Sequence, residues 1–137
     1  AKDKTDTELA VEYAAGLGVH RVIIIGALGC RFDHSLCNTF ALRKMLDLGI
    51  EGVIADEHNE IRLIRDRIYL DREEGVSVSL LPLTEKAEGV TVKGMLYPLD
   101  NAVIQMGSSW GVSNEFRDEK AEISVKKGLL LVIKSRD

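Results

Sequence analysis

The sequence predicts an α/β segment, with an incomplete parallel sheet and its helices, followed by an all-β antiparallel sandwich. Two observations predict this order. Residues 1–57 alternate runs of helical spacing with continuous β-branched runs, which is the pattern of strands covered by helices. Residues 58–137 carry short strand-like runs separated by Gly, Asp and Asn at fairly even spacing, which is typical of a sandwich or barrel. We therefore expect two domains, 1–57 and 58–137.

The first predicted element is a helix that begins near Thr5. Thr5 and Glu8 have the spacing of a capping box, in which each side chain satisfies a free backbone N–H. Gly16 and Gly18 end the helix. The apolar positions between these ends fall at helical spacing, at Leu9, Tyr13, Ala14 and Leu17.

Two strands and a second helix follow. The run VIII at 22–25 is continuously β-branched, which predicts a strand covered on both faces. Apolar residues at helical spacing over 36–48 predict an amphipathic helix, and Gly49 is its natural end. The run GVIADE at 52–57 indicates another buried strand.

The remaining runs predict the sandwich. They alternate apolar and polar residues or are short and apolar, and turn residues bound them. They lie at 60–70, 75–83, 89–96, 101–109 and 121–135.

Composition excludes several classes of partner. Lys and Arg number 18 against 22 Asp and Glu, and aromatic residues make up 5%, so no basic, aromatic surface for nucleic acid is indicated. No apolar run approaches the ~20 residues of a membrane-spanning helix, and no secretory signal opens the sequence. Cys30 and Cys37 are too few for a disulfide scaffold and are expected to be free thiols. We expect a cytoplasmic protein with no nucleic-acid or membrane partner.

The stretch GALGCRFDH, which follows the strand at 22–25, is the first candidate site. Gly26 and Gly29 lie where a strand ends and a helix begins, the edge at which open α/β sheets bind ligands. Glycine lets backbone N–H groups approach a phosphate, and Arg31 can bind phosphate oxygens through two hydrogen bonds. Asp33 can cap the helix, hold a metal or accept a proton. The alternative is that Asp33 is only an N-cap and Arg31 only a surface charge.

The stretch KDKTD is the second candidate. Asp3 and Asp6 are carboxylates three residues apart, and Mg²⁺ usually binds through one or two carboxylates together with substrate phosphates. The alternative is that these acidic residues stabilise the first turn of a helix.

The third candidate is GSSWGVSNEF at 107–116, between two predicted strands. Hydroxyls, an amide and two aromatic rings in one loop can recognise a flat heterocycle, because a ring stacks and a polar group fixes its orientation. The alternative is a polar hairpin loop with one aromatic side chain covering the end of the sandwich.

Together the three stretches resemble the thiamin pyrophosphokinase family in their order and distances, and GMLYPL at 94–99 resembles another of its motifs. The resemblance covers nearly all of the sequence, although Cys30 replaces a commoner glycine. The family's earlier Asp-x-Asp-Ser metal motif has no counterpart here, so we expect a fragment that is inactive alone. The matching residues are Lys2, Asp3, Thr5 and Asp6, then Gly26, Gly29, Arg31, Asp33, His34 and Asn38, then Ser113, Asn114 and Glu115.

The resemblance implies an activity: Mg²⁺-dependent transfer of the diphosphoryl group of ATP to the hydroxyl of thiamin, giving thiamin diphosphate and AMP. It also implies that 1–57 is the C-terminal part of an α/β catalytic domain and that 58–137 binds thiamin. The implied catalytic residues are Asp33 and Arg31, and the implied metal ligands are Asp6 and Asp3. The implied nucleotide-binding residues are Gly26, Gly29, Arg31, His34 and Asn38, and the implied thiamin-binding residues are Ser113, Asn114 and either Phe116 or Trp110.

The resemblance further implies a homodimer through the sandwich, with thiamin between one subunit's α/β domain and the partner's sandwich. The runs at 75–83 and 128–135 carry more apolar side chains than we expect one small sandwich to bury, which also predicts an apolar sandwich-to-sandwich contact in a homodimer. An alternative function is a related protein that binds or senses thiamin without catalysis.

Overall fold

The computed structural model describes residues 3–137, so Lys2 of the KDKTD stretch lies outside the described residues. The chain divides into two compact units, the first ending at Arg62 and the second spanning Leu63–Asp137. The elements up to the boundary are α1 (Asp6–Gly16), β1 (Arg21–Ile25), α2 (Phe32–Asp47), β2 (Glu51–Ala55) and β3 (Asn59–Ile64).

Local sequence signals set the ends of both helices. Thr5 is the N-cap of α1, and its hydroxyl accepts a hydrogen bond from the Glu8 N–H at 3.2 Å, which confirms this half of the predicted capping box. α2 ends at Asp47, and Gly49 follows with a φ of +74°, a left-handed conformation that suits glycine at a helix end.

The sheet of the first unit is mixed. β1 and β2 are parallel, in register from Arg21 opposite Glu51 to Ile25 opposite Ala55, and β3 pairs antiparallel with β2. α2 packs on β2 so closely that a Cβ on Gly52 would lie 2.6 Å from Met45 Cε. The prediction that β1 is covered on both faces is wrong, because Ile23 and Ile25 are 52% and 80% exposed.

The second unit is a β-sandwich. Its strands are β4 (Arg67–Asp71), β5 (Ser77–Pro82), β6 (Lys86–Lys93), β7 (Leu99–Gln105), β8 (Asn114–Glu115), β9 (Lys120–Ser124) and β10 (Leu130–Ser135). One sheet has the order β4-β9-β6-β7, and in the other β5 lies between β10 and β8. Every pairing within these groups is antiparallel. The predicted fold class, α/β followed by an antiparallel sandwich, is confirmed.

The core of the sandwich lies between the two sheets. Ile104 and Ile123 from one sheet and Leu130 from the other are fully buried in one hydrophobic cluster. The run predicted at 60–70 forms two strands rather than one, because the chain turns at Arg65 and Asp66 between β3 and β4.

The apolar runs that supported a sandwich dimer are buried within the chain. In 75–83 and 128–135, no large hydrophobic side chain is exposed, and Val78, Leu80 and Val132 belong to the core cluster. The premise that one sandwich cannot bury these side chains is therefore wrong, and the homodimer stays a prediction. Within residues 3–137, no helix combines the length and apolar character that crossing a membrane requires.

Candidate functional site

The loop at 26–31 joins β1 to α2 and is held against the first turns of α2. The Gly29 N–H donates to Ser35 Oγ at 2.9 Å, and the Ser35 hydroxyl donates back to the Gly29 carbonyl at 3.3 Å. Asn38 Nδ2 donates to the Ala27 carbonyl at 3.0 Å. Gly26 has a φ of +79° and faces open space. Ser35 and Asn38 therefore fix the loop, and Ser35 already accepts the Gly29 N–H.

Arg31 and Asp33 form a two-point ion pair at the beginning of α2. Arg31 Nη2 lies 2.6 Å from Asp33 Oδ2, and Arg31 Nε lies 3.2 Å from Asp33 Oδ1. The interpretation of Asp33 as the N-cap is wrong, because Arg31 is the N-cap residue and caps without a side-chain hydrogen bond. Asp33 is the second helical residue, and its Oδ1 accepts a hydrogen bond from the His34 N–H at 2.9 Å.

The ion pair lowers the pKa of Asp33. The Arg31 guanidinium holds the pKa of the Asp33 carboxyl below its usual value, and the hydrogen bond from the His34 N–H acts in the same direction. A carboxylate with a lowered pKa is a weaker proton acceptor. In this arrangement Asp33 is suited to orient Arg31, a hydroxyl or a metal rather than to remove a proton.

The carboxylates of Asp3 and Asp6 lie at the beginning of α1, where both side chains are exposed. Neither has a hydrogen bond or an ion pair with another residue that the structure describes. Across residues 3–137, no three His, Cys, Asp or Glu side chains are grouped so that they could hold a metal ion by themselves. The donor set fits a Mg²⁺ ion that takes its other ligands from phosphates and water.

A cavity of about 440 Å³ lies against α1 and α2. Of the residues predicted from the sequence to form a site, it includes Asn38, and Thr5 of the KDKTD stretch also borders it. The lining residues are Thr5, Thr7, Glu8, Cys37, Asn38, Phe40, Ala41, Arg43, Lys44 and Asp47.

A second cavity, of about 290 Å³, opens on the sandwich and is mostly apolar and aromatic. We call it the aromatic cavity. Trp110 and Tyr97 are 59% and 64% exposed at its walls, whereas Leu80 and Val92 are core residues that form part of its lining. The lining residues are Leu80, Val92, Tyr97, Leu99, Trp110, Gly111, Val112 and Asn114.

The Asn114 side chain is bonded to the backbone of Tyr97. The Tyr97 N–H donates to Asn114 Oδ1 at 3.0 Å, and Asn114 Nδ2 donates to the Tyr97 carbonyl at 2.8 Å. The preceding residue, Ser113, has a left-handed backbone with a φ of +63°, and its N–H donates to Ser79 Oγ at 3.0 Å. The Ser113 hydroxyl lies on an exposed residue beside this arrangement.

Phe116 and Trp110 line different cavities. Phe116 packs against the sandwich core and forms an isolated β-bridge with Met95. It borders a separate cavity of about 440 Å³, whose other lining residues are Arg72, Glu73, Glu74, Gly75, Val76, Ser77, Glu115, Ser135, Arg136 and Asp137. The structure therefore places Trp110, and not Phe116, with Asn114.

Sequence reasoning missed two residues that shape the aromatic cavity. The resemblance includes Tyr97 only within GMLYPL and does not mark it as a cavity residue, although an aromatic residue before a proline between two strands is a usable signal. The other residue is Gly111. A Cβ there would lie 2.6 Å from the Leu80 carbonyl oxygen, and the Gly111 carbonyl accepts from the Leu80 N–H at 2.8 Å. Gly111 thus lets the loop that carries Trp110 lie directly on β5.

Both parts of the chain match domains of one family. The family model described as "Thiamin pyrophosphokinase, catalytic domain" matches residues 1–54. The model described as "Thiamin pyrophosphokinase, vitamin B1 binding domain" matches residues 65–130, which include all the lining residues of the aromatic cavity.

Individual relatives agree with this match. "Thiamine pyrophosphokinase" of Bacillus subtilis is 33% identical over 138 residues, covering 99% of this chain and 64% of the relative. "Thiamine pyrophosphokinase 2" of Oryza sativa subsp. japonica is 31% identical, covering 85% of this chain and 45% of the relative. This chain therefore spans less than two thirds of the length of these relatives.

Solved structures show the same fold. The crystal structure of thiamine pyrophosphokinase from Bacillus subtilis superposes with a TM-score of 0.95 at 32% identity, covering 100% of this chain and 65% of that one. The thiamin pyrophosphokinase from Geobacillus thermodenitrificans gives a TM-score of 0.90 at 31% identity, covering 100% and 64%. Because two domain models of one family match in order and these structures share the fold, the chain belongs to the thiamin pyrophosphokinase family.

Proposed function

We propose that this chain takes part in the transfer of the diphosphoryl group of ATP to the hydroxyl of thiamin, giving thiamin diphosphate and AMP. The observation that carries the proposal is the aromatic cavity, which lies wholly within the residues matched by the vitamin B1 binding domain. Ligand sites typically combine apolar and aromatic walls with a few polar groups. Thiamin is a cation with two flat heterocycles, and aromatic faces attract such a cation.

In this proposal, Trp110 and Tyr97 supply the aromatic walls and Ser113 supplies a polar group at the edge. Trp110 takes the stacking role because it shares the cavity with Asn114, whereas Phe116 does not. Leu80 and Val92 keep water from the inner side of the ligand, since both are core residues.

ATP is proposed to bind near the loop at 26–31, which lies within the part matched by the catalytic domain. Phosphoryl transfer depends mainly on positioning and on neutralising negative charge. Arg31 is exposed beside this loop, and its guanidinium can donate two parallel hydrogen bonds to phosphate oxygens. Gly26, His34 and Asn38 would lie on the nucleotide side. Gly29 and Asn38 would act indirectly, because the hydrogen bonds of Ser35 to Gly29 and of Asn38 to Ala27 fix the loop.

Asp6 and Asp3 are the residues that would hold a Mg²⁺ ion. When bound, the ion supplies positive charge that offsets the charge of the triphosphate. Asp33 has a different role in the proposal: it orients Arg31 and accepts a hydrogen bond from the substrate hydroxyl, which places the hydroxyl oxygen for attack on the β-phosphorus.

The first test is thiamin binding. Calorimetric titration of the 137-residue chain with thiamin should give saturable binding, and Trp110→Ala should weaken it while Phe116→Ala should not. Oxythiamin, which differs on the pyrimidine ring, serves as a ligand control. Absence of binding by the folded chain would contradict the proposal.

The second test is turnover. This chain spans 64% of the Bacillus subtilis relative. Release of AMP from ATP in the presence of Mg²⁺ is therefore measured in the chain extended to that relative's length. AMP should form only when thiamin is present. Thiamin binding without AMP release in the extended chain would instead favour the non-catalytic thiamin-binding function.

A further inference from the structure

We propose that Asn114 is a positioning residue, which fixes the Tyr97 side chain for ligand binding by bonding the Tyr97 backbone rather than by contacting the ligand through its carbonyl oxygen. The inference rests on the proposed function, because the ligand in question is thiamin. It differs from what the resemblance implies, in which Asn114 bonds the pyrimidine ring directly.

The Asn114 side chain and the Tyr97 backbone are joined by two hydrogen bonds. The Tyr97 N–H donates to Asn114 Oδ1 at 3.0 Å, and Asn114 Nδ2 donates to the Tyr97 carbonyl at 2.8 Å. The amide thus gives Tyr97 the same donor and acceptor that a paired residue of an adjacent strand provides. Among side chains of this length, only asparagine carries a neutral acceptor and a donor side by side.

The acceptor capacity of the Asn114 amide is used within the protein. Oδ1 also accepts from the Glu115 N–H at 2.9 Å. An amide oxygen has two lone pairs, and both are therefore used by backbone donors. A ligand could therefore bind Oδ1 only by breaking its hydrogen bond with the Tyr97 or the Glu115 N–H. Nδ2 retains one hydrogen beyond the one that it donates to the Tyr97 carbonyl.

Within residues 3–137, the side-chain hydrogen bonds to the Tyr97 backbone both come from Asn114. It lies between β6 and β7, outside both strands, and its ring is exposed. Pro98 follows and has no N–H to donate. Next to Tyr97, the Leu96 N–H donates to the Glu115 carbonyl at 2.8 Å, so β8 is the element that fixes this segment at the edge of the aromatic cavity.

The backbone of Ser113, the residue before Asn114, is left-handed. A left-handed φ at a residue other than glycine costs about 1 kcal/mol or more and is kept only where surrounding structure imposes it. The hydrogen bond from the Ser113 N–H to Ser79 Oγ holds this conformation. The turn directs the next residue, Asn114, toward the Tyr97 backbone, which accounts for the strain.

A double-mutant cycle on thiamin binding tests the inference. Asn114→Ala, Tyr97→Ala and the double variant are compared with the unmutated chain by calorimetric titration. If Asn114 acts through the Tyr97 ring, Asn114→Ala should weaken binding about tenfold in the unmutated background, the scale of one or two hydrogen bonds, and have no effect in the Tyr97→Ala background. Tyr97→Phe keeps the ring, so Asn114→Ala should still weaken binding there.

The outcomes separate the possibilities. An equal loss of affinity in the two backgrounds would mean that Asn114 contacts thiamin directly, and no loss in either would mean that it has no role in binding; both overturn the inference. Absence of thiamin binding by the unmutated chain would instead refute the proposed function, and this inference with it.

Folding is controlled separately. Thermal unfolding is followed for each variant, and if Asn114→Ala does not fold, the cycle is repeated with Asn114→Asp. That substitution keeps an acceptor for the Tyr97 and Glu115 amides, replaces the donor to the Tyr97 carbonyl with a second acceptor oxygen and adds a negative charge. The comparison between the Tyr97 and Tyr97→Ala backgrounds separates the effect of this charge on the cationic ligand, which is present in both, from the effect that acts through the Tyr97 ring. Amide hydrogen exchange at Tyr97, measured without ligand, should accelerate in Asn114→Ala; unchanged exchange would also overturn the inference.

Discussion

The guanidinium of Arg31 binds both carboxylate oxygens of Asp33, with Nη2–Oδ2 at 2.6 Å and Nε–Oδ1 at 3.2 Å. The two residues proposed to act on the phosphates and the hydroxyl therefore neutralise each other in this structure. In the proposed function, a triphosphate that takes the Nε and Nη2 donors would have to displace Asp33 from Arg31. The ion pair would then link nucleotide binding to the orientation of Asp33.

The first prediction concerns this pair. Arg31→Ala and Asp33→Asn in the extended chain should each lower turnover about 100-fold or more, the scale seen when one preorganised electrostatic group is removed. Their effects on ATP affinity should be opposite, because Asp33→Asn releases the guanidinium and Arg31→Ala removes it. Turnover is measured by AMP release and affinity by titration with a non-hydrolysable ATP analogue.

Arg43→Ala is the matched control for the ion pair, since Arg43 also pairs with an exposed aspartate on α2, Asp47 at 3.1 Å. Arg43→Ala should leave turnover and ATP affinity unchanged. Normal turnover in Arg31→Ala would show that Arg31 and Asp33 form an ordinary surface ion pair with no role in the reaction.

The second prediction distinguishes the two aromatic residues of the loop. Trp110→Ala should weaken thiamin binding by about 1–3 kcal/mol, as loss of a stacking ring does elsewhere, and should hardly affect stability because the side chain is exposed. Phe116→Ala should do the reverse, because Phe116 packs against the core. Titration and thermal unfolding of both variants check this, and a loss of affinity confined to Phe116→Ala would contradict it.

The third prediction concerns the loop that carries Trp110. Gly111→Ala places a Cβ 2.6 Å from the Leu80 carbonyl oxygen, so the loop must move away from β5. We expect lower thiamin affinity together with a loss of about 1–3 kcal/mol in the free energy of unfolding, the range for overpacking. Gly16→Ala, which adds a Cβ that would meet nothing within 4 Å and lies outside the aromatic cavity, is the matched control and should leave thiamin affinity unchanged. Wild-type affinity in Gly111→Ala would show that the loop position is unimportant.

The fourth prediction is a pH dependence of stability. Lys134, and less strongly Arg136, hold the pKa of the Glu73 carboxyl below its usual value, and Arg136 Nη2 lies 3.3 Å from Glu73 Oε1. Since the unfolded pKa is about 4.3, this stabilisation is complete above that pH and is lost as the pH falls through the lower folded value. Glu73→Gln should therefore lower the Tm at pH 7 but not at a pH below both values.

Glu74→Gln is the control for Glu73. Its side chain is 92% exposed and lies 3.6 Å from Arg72, so its loss should not change the Tm at either pH. A Tm difference for Glu73→Gln that persists at acid pH would show that packing, and not charge, is responsible.

The fifth prediction is the homodimer. The exposed large non-aromatic hydrophobic side chains of the sandwich unit are Leu96, Val103, Met106 and Val112, all outside 75–83 and 128–135. We expect a dimer by light scattering at micromolar concentration, and Met106→Asp should shift it toward monomer if these residues form the contact. A monomer at all concentrations would refute the prediction.

The sequence predicted the fold wherever short-range signals decide it. The Thr5–Glu8 spacing marked the beginning of α1, and alternating runs bounded by turn residues marked the sandwich. It did not predict the exposure of Ile23 and Ile25. A β-branched run shows that a strand is favoured, but which faces are covered depends on how other elements pack.

In the candidate site as well, the sequence predicted local features but not contacts between distant residues. Sequence patterns supplied residue types with suitable chemistry, such as the amide of Asn114 and the ring of Trp110. They did not supply partners, because the Asn114–Tyr97 bonds span 17 residues and depend on where β8 lies beside the segment before β7. For the same reason Phe116 and Trp110, six residues apart in sequence, were indistinguishable until their packing was known.

The inner wall of the aromatic cavity is shared with the folding core, since Leu80 and Val92 are 3% and 1% exposed. Ligand preference can therefore not be altered from this wall without a cost in folding free energy, because truncating such residues creates cavities. Substitutions that change the cavity without this folding cost are expected at its exposed residues Tyr97, Trp110 and Val112. In the proposed function, the inner wall would set how deep a ligand can enter, and the outer positions would set which ligand is retained.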